Sequence, residues 1–266
     1  MYKILILAVV QGIAEFLPIS SSGHLIILGA LLEELTGSVG ELSESPTLEI
    51  ILHTGTLGSI LVVFWKRILK LLTSDRRVLP LLVIATVPAA VAGLTIKSQF
   101  STLLMNPMLA AAMLLVTGCM LVVLGRLSAR EGCYTELSWR AAVIIGCFQA
   151  FAILPGVSRS GSTILGGRLL GLKNEDSVTF SFLLAIPAIL GASLLALKDI
   201  WEQTSAGDPL EFSITELAIG ASVSFLVGLV ALKWLIVWSR KDRLHWFAWW
   251  CFPAGLWALY HFNGSL

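Results

Sequence analysis

The sequence predicts an all-α polytopic membrane protein, with six transmembrane helices and two re-entrant helical hairpins in an inverted-topology repeat. Three observations carry this. Hydrophobic residues make up 56% of the 266 positions and charged residues 13%, with a mean hydropathy of +0.87, far outside soluble averages. Two apolar segments break at polar stretches, QGIAEFLPISSSGH from Gln11 to His24 and PGVSRSGS from Pro155 to Ser162. Adding 138 sets Gln11 on Gln149, Ala14 on Ala152, Ser20 on Ser158, Ser22 on Ser160, Gly23 on Gly161, Ile26 on Ile164 and Gly29 on Gly167, the mark of a duplicated half. Residues 1–266 thus read as one integral-membrane domain, with 1–126 the first repeat half and 139–262 the second.

Ile4 to Leu17 and Leu25 to Leu32 are each shorter than the roughly 20 residues a helix needs to cross a bilayer. With SSSGH between them and Pro18 removing helix hydrogen bonds, the first unit is expected to enter and return. An acidic loop follows, holding Glu33, Glu34, Glu41, Glu44 and Glu49. Crossings are expected at about 48 to 65, 78 to 97 and 107 to 126. Asn106 and Pro107 supply an N-cap and a proline at the first helical position, and Trp65, Lys66 and Arg67 read as interfacial anchors.

Trp139 opens the second half. Its apolar run from Ala141 to Leu154 breaks and resumes from Thr163 to Leu170, repeating the first hairpin. Asn174, Glu175 and Asp176 cap a crossing to about Leu197, and the last two crossings fall near 214 to 238 and 245 to 262. The tryptophans at 238, 246, 249 and 250 flank a basic loop and read as an interfacial belt. Cys119, Cys133, Cys147 and Cys251 lack metal-ligand spacing and are expected to be packing residues. The N-terminus has no basic region followed by a small-residue cleavage site, so the first apolar stretch is expected to remain in the mature protein.

Charge sets the topology. Loops 66–77, 126–140, 168–173 and 240–243 hold five, three, two and three of the 18 Lys and Arg residues, whereas Lys3, Lys97 and Lys198 fall on the opposite side. Were residues 141–170 a simple span, the basic 240–243 loop would lie outside and the acidic 199–216 loop inside, against the positive-inside tendency. A returning hairpin restores the sorting. An odd number of crossings then separates the repeats, so they are inverted, their tips can meet near the midplane, and the N-terminus lies outside. The net charge of +1 shows no nucleic-acid footprint, and no nucleic-acid partner is expected.

The chemistry lies where the repeats differ. Glu15 faces Ile153, Ser21 faces Arg159 and His24 faces Ser162, so one tip carries acid, hydroxyl and imidazole while the other carries a guanidinium. An ionisable group inside a membrane segment usually marks function. Arg159, the serine hydroxyls and the N–H groups after Gly161 form a phosphate cradle; Glu15 suits a divalent ion or a base, and Ser21 or His24 a nucleophile or proton carrier. Blander roles stand beside these. Ser20, Ser22, Ser158 and Ser160 recur in both halves and suit turn capping, Arg159 could merely staple the hairpin, and His53 suits helix packing or a partner of the site residues equally.

EFLPISSSGH and PGVSRSGST closely resemble the two signature motifs of the undecaprenyl pyrophosphate phosphatase family, the bacitracin-resistance type. The resemblance extends to LHTGT around His53 and FSFLLAIP from Phe180 to Pro187. It implies an integral-membrane hydrolase that releases phosphate from undecaprenyl pyrophosphate and so recycles the carrier lipid for cell-wall synthesis. It further implies a Mg2+ or Ca2+ requirement, a bacterial cytoplasmic (inner) membrane location and a site opening to the outer face. A homodimer is a further expectation. Glu15, Ser21, His24 and Arg159 are the implied catalytic residues, with Ser158, Arg159, Ser160, Gly161 and Thr163 around the phosphate. Part of the family carries an acid where this chain has Gln11; an amide binds a hard cation more weakly, leaving Glu15 as the main metal ligand. The competing reading is an inverted-repeat transporter or lipid carrier without hydrolysis, since such repeats also build transport sites.

Overall fold

The computed structural model describes residues 2–37, 46–99, 104–128, 130–206 and 212–263; Glu41 and Glu44 of the acidic loop lie outside them. The helices are α1 (Tyr2–Ala14), α2 (Ser21–Thr36), α3 (Pro46–Val63), α4 (Trp65–Leu72), α5 (Val78–Gln99), α6 (Pro107–Arg126), α7 (Trp139–Phe151), α8 (Arg159–Leu169), α9 (Asn174–Ala206), α10 (Ile214–Arg240) and α11 (Ala248–Asn263). Among the described residues the only β pairing is an isolated bridge between Gly132 and Leu172.

Four helical stretches, 78–96, 107–126, 174–195 and 214–240, are long and apolar enough to cross a membrane, while α1, the 50–63 part of α3 and α7 are apolar but shorter. Large apolar side chains such as Val83, Val91, Leu194, Val230 and Trp249 are exposed on the outer surface. Water would not tolerate an apolar surface of that extent, and lipid does. The protein is a helical, multi-pass membrane protein.

The long helices pair with partners distant in the chain. α1 packs on α10 and α7 on α5; α3 packs on α10 and α9 on α5; α6 packs on α11 and α3 on α9. The break after α1 lies in the main core, where Phe16, Leu17 and Ile19 are buried with Leu57, Ile60, Phe64 and Phe182. Phe16 and Phe182 rings sit 5.8 Å apart in a tilted arrangement. In lipid the hold comes from close packing rather than from leaving water, so this irregular backbone is fixed by the fit of its own side chains.

The basic loops gather at one end. Arg77 donates to the Leu137 carbonyl (3.4 Å), Arg168 to the Leu172 and Ser128 carbonyls (3.0 Å each), and Asn174 to Asp242. Arg240 pairs with Glu175 at 3.2 Å and Lys173 with Asp176 at 3.1 Å, the latter contact raising the Lys173 pKa. At the other end His261 meets Glu34 at 2.9 Å.

Several expectations need correction. Trp65, Lys66 and Arg67, read as interfacial anchors after the crossing, lie in a separate eight-residue helix, α4, that the sequence reading did not include. The polar residues after each break are helical: α2 starts at Ser21 and α8 at Arg159, because Ser20 and Ser158 accept hydrogen bonds from the Gly23 and Gly161 amides and so start the helices early. α9 continues to Ala206, but its stretch long and apolar enough to cross ends at 195, close to the crossing end expected near Leu197. Cys251 is buried as expected, but Cys119 and Cys147 face outward.

Candidate active site

The site forms where the two breaks meet, and glycine makes the meeting possible. A Cβ on Gly23 would lie 2.7 Å from the Gly156 Cα, and one on Gly156 would lie 2.1 Å from the Ala110 carbonyl oxygen. Gly156 also has φ +92, a region open to glycine at little cost. Thr117 of α6 fixes this loop, donating to the Gly156 carbonyl (2.7 Å) and accepting from the Ser158 amide (3.0 Å). On the other side Ser20 holds φ 69, unusual for a non-glycine residue, while its carbonyl accepts from the His24 amide and its hydroxyl caps Gly23.

Glu15 is the centre. Its carboxylate is 7% exposed and receives four donors from four different elements of the chain. Oε2 accepts from Ser21 Oγ (2.7 Å) and Gln11 Nε2 (3.1 Å) and lies 3.1 Å from His53 Nε2. Oε1 accepts from the Arg159 guanidinium, which crosses from the opposite break. An ionised carboxylate has about four lone-pair sites and no donor, so this surrounding matches the charged form. Gln11 takes a role that an ionised acid at that position could not, since its NH2 donates to Glu15 while its Oε1 is buried without a partner. His53, equally suited by sequence to packing, is a direct partner of Glu15.

Ser21 directs its proton to Glu15, leaving the oxygen lone pairs for an electrophile. His24 is differently placed. Its Nδ1 bonds the Ser20 carbonyl at 2.7 Å, and the Trp250 indole donates to its Nε2 at 2.8 Å. Indole N–H is only a donor, so Nε2 must accept, which puts the ring proton on Nδ1. Trp250, assigned by sequence to an interfacial belt, therefore fixes the His24 tautomer across α2 and α11. No sequence pattern links two residues so far apart in the chain.

The expected phosphate-binding residues are near but engaged. Ser158 caps Gly161 (3.1 Å) and pairs with Ser160 (3.2 Å); Ser160 reaches the Leu17 carbonyl at 3.4 Å. Ser158 thus has the capping role that recurrence in both halves suggested, whereas Ser160 ties the second break to the first. Thr163 lies a turn inside α8, donating to the Arg159 carbonyl (2.9 Å) and pairing with Ser181 (2.6 Å), so it steadies the backbone of Arg159 four residues earlier. Arg159 keeps Nη1 buried and without a partner beside its bond to Glu15. The structure thus brings together Gln11, Glu15, Ser21, His53 and Arg159, with His24 turned to Trp250.

No group of three or more His, Cys, Asp or Glu suited to a metal ion occurs among the described residues. A hard cation held largely by substrate phosphates needs only one or two protein oxygens. The orphaned Gln11 Oε1 fits that smaller requirement, and Glu15 would join it on giving up one of its four donors.

The chain is similar to known proteins over nearly its whole length. The model of the family described as Bacitracin resistance protein BacA matches residues 4–257. An undecaprenyl-diphosphatase of Rhodopirellula baltica is 68% identical over 254 residues, covering 96% of this chain and 95% of the relative. Proteins of the same name from Alkaliphilus metalliredigens and Desulfatibacillum aliphaticivorans are 37% and 35% identical, each over at least 95% of both chains. The matched region contains both breaks and every residue that meets at Glu15, and the chain belongs to the bacitracin resistance protein BacA family.

Proposed function

We propose that this protein is an undecaprenyl-diphosphatase, hydrolysing undecaprenyl pyrophosphate to the monophosphate and phosphate, and thereby recycling the carrier lipid and conferring bacitracin resistance. The observation that carries the reading is the buried Glu15 carboxylate, which holds a serine hydroxyl from its own break and a guanidinium from the other. The Arg159 fork binds the terminal phosphoryl oxygens, with the unpaired Nη1 as the first available donor. Ser21 Oγ attacks the terminal phosphorus as its proton passes to Glu15; the Oγ–P bond forms, the bridging P–O bond breaks and the lipid monophosphate leaves. Water then cleaves the phosphoserine, releasing phosphate and returning the proton to Ser21. Ser21 is favoured over His24 as nucleophile because both ring nitrogens of His24 are engaged. A divalent cation, Mg2+ or Ca2+, would be held by Glu15 and Gln11 Oε1 and would neutralise phosphate charge.

The finer topology follows the sequence reading: six crossings, α3, α5, α6, α9, α10 and α11, and two re-entrant hairpins, α1–α2 and α7–α8, in inverted halves 1–126 and 139–262. Two facts support it. The helix pairing is matched between halves, α1 on α10 as α7 on α5, and the basic loops share one end. In a bacterial inner membrane that end is cytoplasmic and the site opens to the outer face. Purified protein in detergent is expected to release phosphate from undecaprenyl pyrophosphate in a divalent-cation-dependent reaction. Movement of the lipid across vesicles without phosphate release would instead establish the carrier reading.

A further inference from the structure

The eight residues of α4, WKRILKLL, divide into three faces. Trp65, Leu69 and Leu72, at i, i+4 and i+7, share one side and are 52%, 51% and 55% exposed, while Leu71 is buried in the cluster that holds Val78 and Leu82. Lys66, Arg67 and Lys70 take the remaining side. An exposed apolar stripe flanked by cations is the pattern of a helix lying in a membrane interface, with its apolar side among acyl chains and its charges at head-group depth. α4 follows directly on α3 at the end of the molecule where the basic loops gather.

At the start of α4 a cavity of about 370 Å3 opens between the end of α3, the first turns of α9 and the last turn of α10. One wall is apolar and fixed: the Phe64 ring is buried and lies 5.9 Å from that of Phe182 in the main core. The rim is cationic. Lys66, Arg67 and Arg240 line it, and Glu175, the one acid among its described lining residues, is already paired with Arg240 at 3.2 Å. Lys66 and Arg67 take part in no ion pair among the described residues, and the Lys66 ammonium stands 5.5 Å from the centre of the Trp65 ring. The cavity thus carries uncompensated positive charge next to an exposed apolar stripe. An amphiphile with an anionic head matches both.

We propose that this cavity is a binding site for an anionic glycerophospholipid of the surrounding membrane. Its phosphate sits against Lys66 and Arg67, and its acyl chains continue past Trp65 along the apolar stripe of α4. The chains supply little of the preference, because exchanging one lipid tail for another gains almost nothing. The head group decides. Each cation in a basic pocket at the bilayer surface is worth about fivefold in affinity for an anionic lipid, whereas a zwitterionic head group brings its own ammonium and loses most of that gain. A lipid seated here touches α3, α4, α9 and α10 together, so its binding ties these four helices at the basic end.

The test adds phosphatidylglycerol or phosphatidylcholine to purified protein in a non-ionic detergent and reads the melting temperature and the lipid retained in native mass spectrometry. Phosphatidylglycerol is expected to raise the melting temperature by several degrees and to be retained, and phosphatidylcholine to do neither. The double variant Lys66→Gln, Arg67→Gln changes two exposed side chains and leaves the core intact; its affinity for phosphatidylglycerol should fall about 25-fold, whereas Lys66→Arg, which keeps the charge, should bind as the wild type does. Arg130→Gln with Arg140→Gln removes the same charge at the same end but outside the cavity, and should leave binding unchanged. The inference is overturned by equal effects of the two lipids, by full binding in the Lys66, Arg67 double variant, or by equal loss in the Arg130, Arg140 control. An equal rise in melting temperature with glycerol 3-phosphate, which has the phosphate and no chains, would overturn it as well. None of these readouts depends on hydrolysis, so their outcome stands apart from that of the proposed function.

Discussion

Arg159 is the residue at which charge, geometry and folding can be separated. It reaches from the second break to Glu15 in the first, with Nη1 still unpaired. Lysine keeps the charge and loses the fork, so Arg159→Lys is expected to retain partial turnover, whereas Arg159→Ala should lose about a hundredfold or more. Specific activity and melting temperature on the same preparations decide it; a lower melting temperature with near-normal specific activity would reduce Arg159 to a staple. Glu15, Ser21 and Arg159 were legible in the sequence because they are positions at which two related segments differ. Among the partners that complete the site, His53 stayed open between packing and partnership, and Trp250 read only as an interfacial residue. Trp250 finds His24 and His53 finds Glu15 only through packing of distant helices, and Gln11 and Gln149 look alike in sequence although one has a carboxylate to bond and the other is buried without a partner.

At the scale of elements, the long apolar helices were plain because length and hydropathy alone define them. α6 begins at Pro107 behind its Asn106 cap, and α10 at Ile214 behind a Ser213–Glu216 capping box. Errors cluster where a local polar bond competes with hydropathy. Ser20 and Ser158 start helices on residues whose polarity suggests a loop, so the breaks are shorter than they read. α4 was missed because eight amphipathic residues directly after a long apolar helix look like its basic flank. The shortness of the breaks matters to function: Ser21 and Arg159 both sit in the first turn of a helix, where their backbone is fixed, rather than on free loops.

For the whole molecule, the central proposal is that two hairpins entering from opposite faces join a carboxylate to a guanidinium. Their opposite entry has its own test. In a cysteine-free background, a cysteine at Glu202 should label from outside in intact cells and one at Arg130 only after permeabilisation; labelling of both from one side would contradict inverted halves. The junction itself is tested most directly by phosphate release from undecaprenyl pyrophosphate by Glu15→Gln. The amide retains much of the side chain's shape and an oxygen that can accept from Arg159, but it cannot serve as the base for Ser21. Turnover per folded molecule is expected to fall by about 10²- to 10⁴-fold, the usual worth of a positioned general base. Turnover within a few-fold of wild type would contradict the account.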